Sequence, residues 1–175
     1  VWRSGIGEAV RLAVAADATL LKKLEKTGPT YATRQPEALV ELIEATRATR
    51  AKKGATGLGL WAAHRLESMS GYKLPHGYAV SIGLLLEAGA AVVRGALSEA
   101  EAARVTDLLR ACGALDGLVH SQHLLQQPDS LLCGLDAWLL TSPEGVPTLT
   151  ALGKSEMVES PDREAYRAAM KKALS

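Results

Sequence analysis

Residues 74–93 read Leu-Pro-His-Gly-Tyr-Ala-Val-Ser-Ile-Gly-Leu-Leu-Leu-Glu-Ala-Gly-Ala-Ala-Val-Val. Leu74-Pro75 is a rigid entry, His76 opens a helix and Gly77 adds a flexible step. The helix runs to Val93 and is apolar nearly all round, with Val80, Ile82, Leu84, Leu85, Leu86, Ala90 and Val92 pointing in every direction. A helix without a polar face must be covered on all sides, so this one is predicted to be the centre of the molecule. Gly95 ends it. Around it Ala, Leu, Glu, Arg and Lys dominate, all strong helix formers, and Phe is absent. The fold class is mainly α.

Working outward, a first helix is predicted from Ser4 to Lys26, with Ile6, Val10, Ala13, Val14 and Leu21 at helical spacing. Gly28-Pro29 ends it. A second starts at Pro36, suited to a first helical position, and reaches Lys53 with an apolar face of Leu39, Leu42 and Ile43. Gly54 to Gly59 is a break. A third covers Leu60 to Ser70, closed by Gly71 and followed by the connector Tyr72-Lys73-Leu74-Pro75. Beyond the central helix, Ser98 and Glu101 form a capping-box pattern for a helix reaching Cys112. Gly113 to Gln127 is less regular, and Asp129 to Leu140 reads as another helix. Ser142-Pro143-Glu144-Gly145 is a turn, and Val146 to Leu152 reads as a strand. Pairing of that strand with Leu139-Leu140-Thr141 gives one small β-hairpin. Ser160-Pro161 caps a last helix ending at Leu174. The whole is expected to form a single helical domain over 1–175.

The chain has 175 residues, enough for one domain with a core, and 47 % of them are hydrophobic, which argues against disorder. Charges interrupt the apolar stretches, so no membrane span is expected. No signal peptide is visible, and a cytoplasmic location is expected. Formal charge is +1, from 20 basic and 19 acidic residues, without the basic excess of a nucleic-acid binder. Cys112 and Cys133 are too few and too far apart for a Cys-rich zinc site and are expected to be buried free thiols. The chain starts at Val1 rather than Met, so it is expected to be a piece of a longer protein.

Three polar positions carry possible chemistry. Glu8 sits among small and apolar residues, His64 lies in the third helix, and His76 stands at a helix N-terminus, where unpaired N–H groups favour anions. Carboxylate and imidazole both suit a divalent metal. Taken alone the signal is weak, since scattered His and Glu usually lie at the surface or support a neighbouring side chain. Arg3, Arg11, Arg50 and Lys53 form a basic set able to clamp a phosphate or carboxylate if their helices converge, and a solvated helix face if they do not. His120 and His123 are expected at the surface.

The stretch Arg3-Ser4-Gly5-Ile6-Gly7-Glu8-Ala9-Val10-Arg11 resembles the pattern R-S-G-x-A-E-V-I-K at the start of the C-terminal domain of 3-dehydroquinate synthases. His64-Arg65-Leu66-Glu67, Ser70-Gly71-Tyr72 and His76-Gly77-Tyr78-Ala79-Val80-Ser81-Ile82-Gly83 resemble the family's G-H-A-x-E, S-G-Y and H-G-E-A-V-A-I-G. The closing strand and helix fit as well, and the family includes related sugar-phosphate cyclases. The resemblance implies a helical domain facing an N-terminal NAD-binding domain, or a separate subunit, that is absent here. It further implies a carbon–oxygen lyase of the shikimate type acting on a phosphorylated sugar acid in the cleft between the halves, with NAD and a divalent metal such as zinc or cobalt, and possible homodimers. Nucleic acid and membrane are not expected partners.

Carried over residue by residue, Glu8 and His76 fall on metal ligands, and His64 on a catalytic, substrate-side histidine. Arg11 and Arg50 fall on substrate-binding lysines, with Lys53 one turn on from Arg50. Several positions depart from the family. The third metal ligand, a histidine, is Leu60, which cannot coordinate. The asparagine of L-N-x-G-H is Gly57, the glutamate of H-G-E is Tyr78, and the late D-K-K lysines are Ala137 and Trp138 beside Asp136. A segment before the L-N-x-G-H position is also missing. These departures imply weak or absent metal binding and divergent activity, and the isolated chain is expected to be inactive. Two other readings remain: a non-catalytic binding or regulatory relative, and an iron-dependent alcohol or glycerol dehydrogenase-like domain, which shares the Pro75-His76-Gly77 helix start.

Overall fold

The computed structural model describes residues 2–33, 35–54 and 56–174. Its elements are α1 (Trp2–Ala16), α2 (Ala18–Ala32), α3 (Pro36–Lys53), α4 (Leu60–Met69), α5 (His76–Val93), α6 (Glu99–Ala111), α7 (Leu118–Leu125), α8 (Pro128–Thr141), β1 (Val146–Ala151), β2 (Lys154–Val158) and α9 (Arg163–Ala173). The mainly α class and the hairpin near the C-terminus are as the sequence predicts.

α5 is central because it faces two cores. Leu84, Ala88 and Ala91 join the α1, α2 and α6 side, with Val10, Val14, Leu21, Leu24 and Leu109. Val80, Ile82, Leu86 and Ala90 join the α4, α8 and α9 side, with Trp61, Leu66, Leu132 and Tyr166. A helix with a core on each side has no solvated stripe, which is why its sequence lacks a polar face. By length and composition alone α5 could cross a membrane, contrary to the expectation above, yet 67 % of that stretch is buried within the protein.

Two predicted boundaries are corrected. The Ser4 to Lys26 helix is two helices. Asp17 adopts an extended backbone (φ −147°, ψ 92°), and its carboxylate accepts from the Thr19 and Leu20 amides at 3.0 Å each. A one-residue break barely disturbs the apolar period, so the spacing hides it. Gly28-Pro29 ends nothing, since α2 passes through Pro29 to Ala32. The region 113–127, read as irregular, contains α7.

The hairpin also forms differently. β1 pairs with β2, not with 139–141, in the register Val146↔Val158 to Ala151↔Lys154. Leu139, Leu140 and Thr141 belong to α8. Gly153 at φ 82° makes the turn, and its amide donates to the Val14 carbonyl at 2.8 Å. Ser155 Oγ donates to the Ala15 carbonyl at 3.0 Å. The hairpin thus satisfies carbonyls that the end of α1 leaves unpaired. The capping box at Ser98 and Glu101 is present. Cys112 is buried, and burial pushes its thiol up to about 11. Cys133 is exposed, not buried as expected, because it lies on the outer face of α8.

Candidate functional site

α1 and α5 meet at Gly7, where a Cβ would lie 2.7 Å from the Gly77 carbonyl oxygen and 3.1 Å from Ser81 Oγ. Only a residue without a side chain lets the backbones approach so closely. The next residue on α1 is Glu8, and its Oε1 stands 3.1 Å from Nε2 of His76, the first residue of α5. On the other side of the ring, Nδ1 is 3.1 Å from Oε1 of Glu67 on α4. The tight link from α4 to α5 sets this contact: Ser70 Oγ accepts from the Leu74 amide at 3.1 Å, and Gly71 and Tyr72 both have φ 60°.

His76 is therefore held between two carboxylates. A neutral imidazole has one N–H, so its tautomer decides to which of the two carboxylates it donates. Glu8 Oε2 accepts from Arg11 Nε at 3.0 Å and Nη2 at 2.5 Å, and Arg11 Nη1 donates to Thr56 Oγ1 at 3.2 Å. Arg11 is buried, whereas Glu8 and His76 are partly open. His64 completes the group, its ring centroid 6.3 Å from that of His76 with 23° between planes. Trp138 of α8 lies 6.4 Å from His64 at 30°.

The structure thus gathers Glu8, His64, His76 and Arg11. Arg50 and Lys53 do not join them. Arg50 is exposed, with no ion pair among the described residues. Lys53 acts on Asp17, helping to hold that carboxyl low after the Leu20 amide and the Thr49 and Thr19 hydrogen bonds. Asp17 lies nine residues past Glu8, roughly 13 Å along the helix by its rise per residue. The predicted clamp reduces to Arg11. The Arg3 side chain lies outside the described residues. His120 and His123 are exposed, as expected.

Zinc and cobalt suit Glu and His donors, and a catalytic zinc takes three protein ligands. Here Leu60 opens α4 packed among apolar side chains, and both nitrogens of His76 already face carboxylates. Among the described residues no group of three His, Cys, Asp or Glu is placed to hold a metal ion. The residues present do not fit a three-ligand centre.

Sequence reasoning missed three residues. Glu67 lies one turn from His64, and that spacing on one helix face was the available signal. Trp138 was noted only as a replaced lysine, and its own neighbours, His64 of α4 and Gly145 of the turn between α8 and β1, are not visible in the local sequence. Glu87 is fully buried in α5, with Oε1 accepting from Trp61 Nε1 at 3.0 Å and Tyr166 Oη at 2.9 Å. Its Oε2 has no partner among the described residues, and burial pushes the carboxyl up to about 7.

A helical bundle around a two-sided central helix, closed by a hairpin, is the architecture of the helical domain of a dehydroquinate-synthase-like protein. The chain belongs to the 3-dehydroquinate synthase C-terminal family, which it matches over residues 5–126. The 3-dehydroquinate synthase of Pseudarthrobacter chlorophenolicus is 32 % identical over 121 residues, covering 63 % of this chain and 33 % of the relative. That of Campylobacter curvus is 33 % identical over 118 residues, covering 62 % and 34 %. The chain spans about a third of the length of these curated relatives. In structure it is similar to ValA, the 2-epi-5-epi-valiolone synthase of Streptomyces hygroscopicus subsp. jinggangensis 5008, solved with NAD+ and Zn2+ bound. The TM-score is 0.81 at 22 % identity, over 98 % of this chain and 51 % of ValA, a likeness of fold.

Proposed function

We propose that this chain forms the substrate-facing side of a cleft completed by an NAD-binding domain or subunit, in a sugar-phosphate cyclase-like protein whose metal chemistry has weakened. The observation that supports this reading is the Glu8–His76–Glu67 cluster, together with Leu60, which the resemblance aligns with a third ligand and which packs against an apolar core. In such a cleft the cofactor of the other half takes and returns the hydride. This chain's residues orient and exchange protons. Glu67 fixes the ring of His76, Arg11 fixes Glu8, and His64 faces the substrate. No step is assigned to a metal, because the donor set does not support one.

Zinc titration against a chelating indicator should show weak or no binding by the chain. Tight one-to-one binding would overturn the weakened-metal part. Release of inorganic phosphate from the seven-carbon sugar-acid phosphate, with NAD and divalent metal, tests the activity. The chain alone should give none, since in this reading NAD is held by the other half of the cleft, which the chain alone does not supply. The parent protein should be severely slowed, as losing one preorganised polar contact commonly costs about 10²–10³ in rate. Turnover of the parent at the rate of an unaltered family member would refute the reading. A second reading, a non-catalytic binding relative, is favoured by Trp138 standing against Gly57, where the family carries polar residues. A parent protein with neither metal nor turnover would support that reading.

A further inference from the structure

Away from the Glu8–His76–Glu67 cluster, a cavity of about 510 Å³ lies between the α4–α5 link and α7. Sites for small molecules occupy about 300–1,000 Å³, so the space is of a useful size. The fold sets both of its walls. The link closes on itself, with the Tyr72 amide donating to the Glu67 carbonyl at 2.7 Å and Ser70 Oγ donating to the same oxygen at 2.8 Å. Opposite it, α7 approaches α5 where the Tyr78 ring lies on Gly117, at which a Cβ would stand 2.6 Å from Tyr78 Cγ. None of Glu8, Arg11, His64, His76 or Trp138 lines this space.

Its lining divides by chemistry. Met69, Leu74, Tyr78 and Leu124 give an apolar body. Lys73, His120 and His123 give a polar rim, and all three are exposed. His120 and His123 lie three apart on α7, so they share one helix face. The side chains of Lys73, His120 and His123 make no ion pair or hydrogen bond among the described residues. The hydroxyls of Ser70 and Ser121 are committed instead, donating to the Glu67 and Gly117 carbonyls. No Asp or Glu among the described residues lines the cavity. Asp116, the acid nearest to α7 in sequence, turns toward Gly113, where a Cβ would lie 3.6 Å from its Oδ2. Lys73 supplies one fixed positive charge, and an imidazole offers an N–H donor in either protonation form. One cation flanked by two donors suits a single negative charge, and the apolar side chains beside them suit a hydrocarbon body.

We propose that this cavity is a ligand site separate from the cleft, taking a small organic carboxylate. The carboxylate group sits among Lys73, His120 and His123, and the apolar body lies against Leu74, Tyr78 and Leu124. The site shares none of the cluster's side chains and does not depend on the function proposed for them.

The test is an NMR titration of the 15N-labelled chain with sodium benzoate, with EDTA present. Benzamide, which lacks the charge, and acetate, which lacks the apolar body, are titrated separately. Benzoate should shift the amides of Lys73, His120 and Leu124 with a dissociation constant of roughly millimolar order. The amides of Glu8 and His64 should stay in place. Benzamide and acetate should need concentrations about tenfold higher or more for the same shifts. Both variants to be compared are at exposed positions, where substitution is usually tolerated. Lys73→Gln should weaken the benzoate response about threefold or more. His120→Glu, which sets a like charge against the carboxylate, should abolish it. Equal responses to benzamide or acetate, an unchanged benzoate response in Lys73→Gln or His120→Glu, or shifts centred on Glu8 and His64 would overturn the proposal. So would a response seen only when EDTA is left out, which would assign the site to a metal ion held by His120 and His123. The absence of any benzoate shift in a chain whose spectrum is that of a folded protein would overturn it as well.

Discussion

His76 has a carboxylate on each ring nitrogen, and this limits what it can do. An imidazole binds a metal through a ring nitrogen carrying no proton. With Glu8 at Nε2 and Glu67 at Nδ1, each nitrogen is more useful as a donor. Adding a third ligand at the position the resemblance aligns with one should shift that balance. Leu60 begins α4 one turn before His64. Leu60→His should therefore raise zinc affinity about tenfold or more over the wild-type chain, read by competition with a chelating indicator. Unchanged affinity would mean that position 60 does not face Glu8 and His76. Glu8, His64 and His76 were legible because each sits in a motif with a recognisable neighbour. Glu67 and Trp138 were not singled out, because the contacts that give them weight, Glu67 with His76 and Trp138 with His64 and Gly145, join different elements of the chain.

Helices carry the site, and small errors in helix position would undo it. The approach of α1 to α5 at Gly7 sets the Glu8–His76 distance. Gly7→Ala places a methyl 2.7 Å from the Gly77 carbonyl oxygen, so the helices must part. Thermal or denaturant unfolding should show a loss of about 1–3 kcal/mol, the usual cost of overpacking. Asp17→Ala should cost about 1 kcal/mol, as removal of a helix N-cap typically does, and it also removes the acceptor of the Thr49 hydroxyl at 3.0 Å. A loss under a few tenths would show that α2 starts without the cap. The elements best read from sequence were α3 and α5, both beginning at the residues predicted, Pro36 and His76. Proline and the Pro-His-Gly entry mark those starts chemically. The α1–α2 break and the β1–β2 pairing were misread because each depends on partners elsewhere. Asp17 is fixed by Thr49 and its own cap, and the hairpin by the end of α1.

Across the whole molecule, the apolar period of α5 foretold a central helix, but not the single charged side chain inside it. Glu87 lies in the second core, with Trp61 of α4 and Tyr166 of α9 donating to one oxygen. Arg94 stands near, its guanidinium carbon 5.9 Å from the Tyr166 ring centroid, and it lowers the Glu87 carboxyl less than burial raises it. The net result is a carboxyl at about 7 in the folded protein against 4.5 as its ordinary value. Between these values the folded protein holds a proton that the unfolded chain has lost. Stability from this group is therefore full below about pH 4.5, falls as pH rises, and levels off above about pH 7. One proton corresponds to about 1.4 kcal/mol per pH unit, so the total loss is on the order of 3 kcal/mol. Asp17 and Glu101 act oppositely in acid. Both are held low, first by the Leu20 and Ser98 amides respectively, and their contributions fade as pH falls through the ordinary carboxylate range. The chain should be most stable in mildly acidic solution and lose stability toward neutrality. Glu87→Gln keeps an oxygen for Trp61 and Tyr166 but carries no proton to lose. Its denaturant midpoint should be nearly flat between pH 5 and 8, where the wild-type midpoint falls, and the two curves should diverge most near pH 8. Parallel curves for the two proteins would show that Glu87 does not titrate in this range.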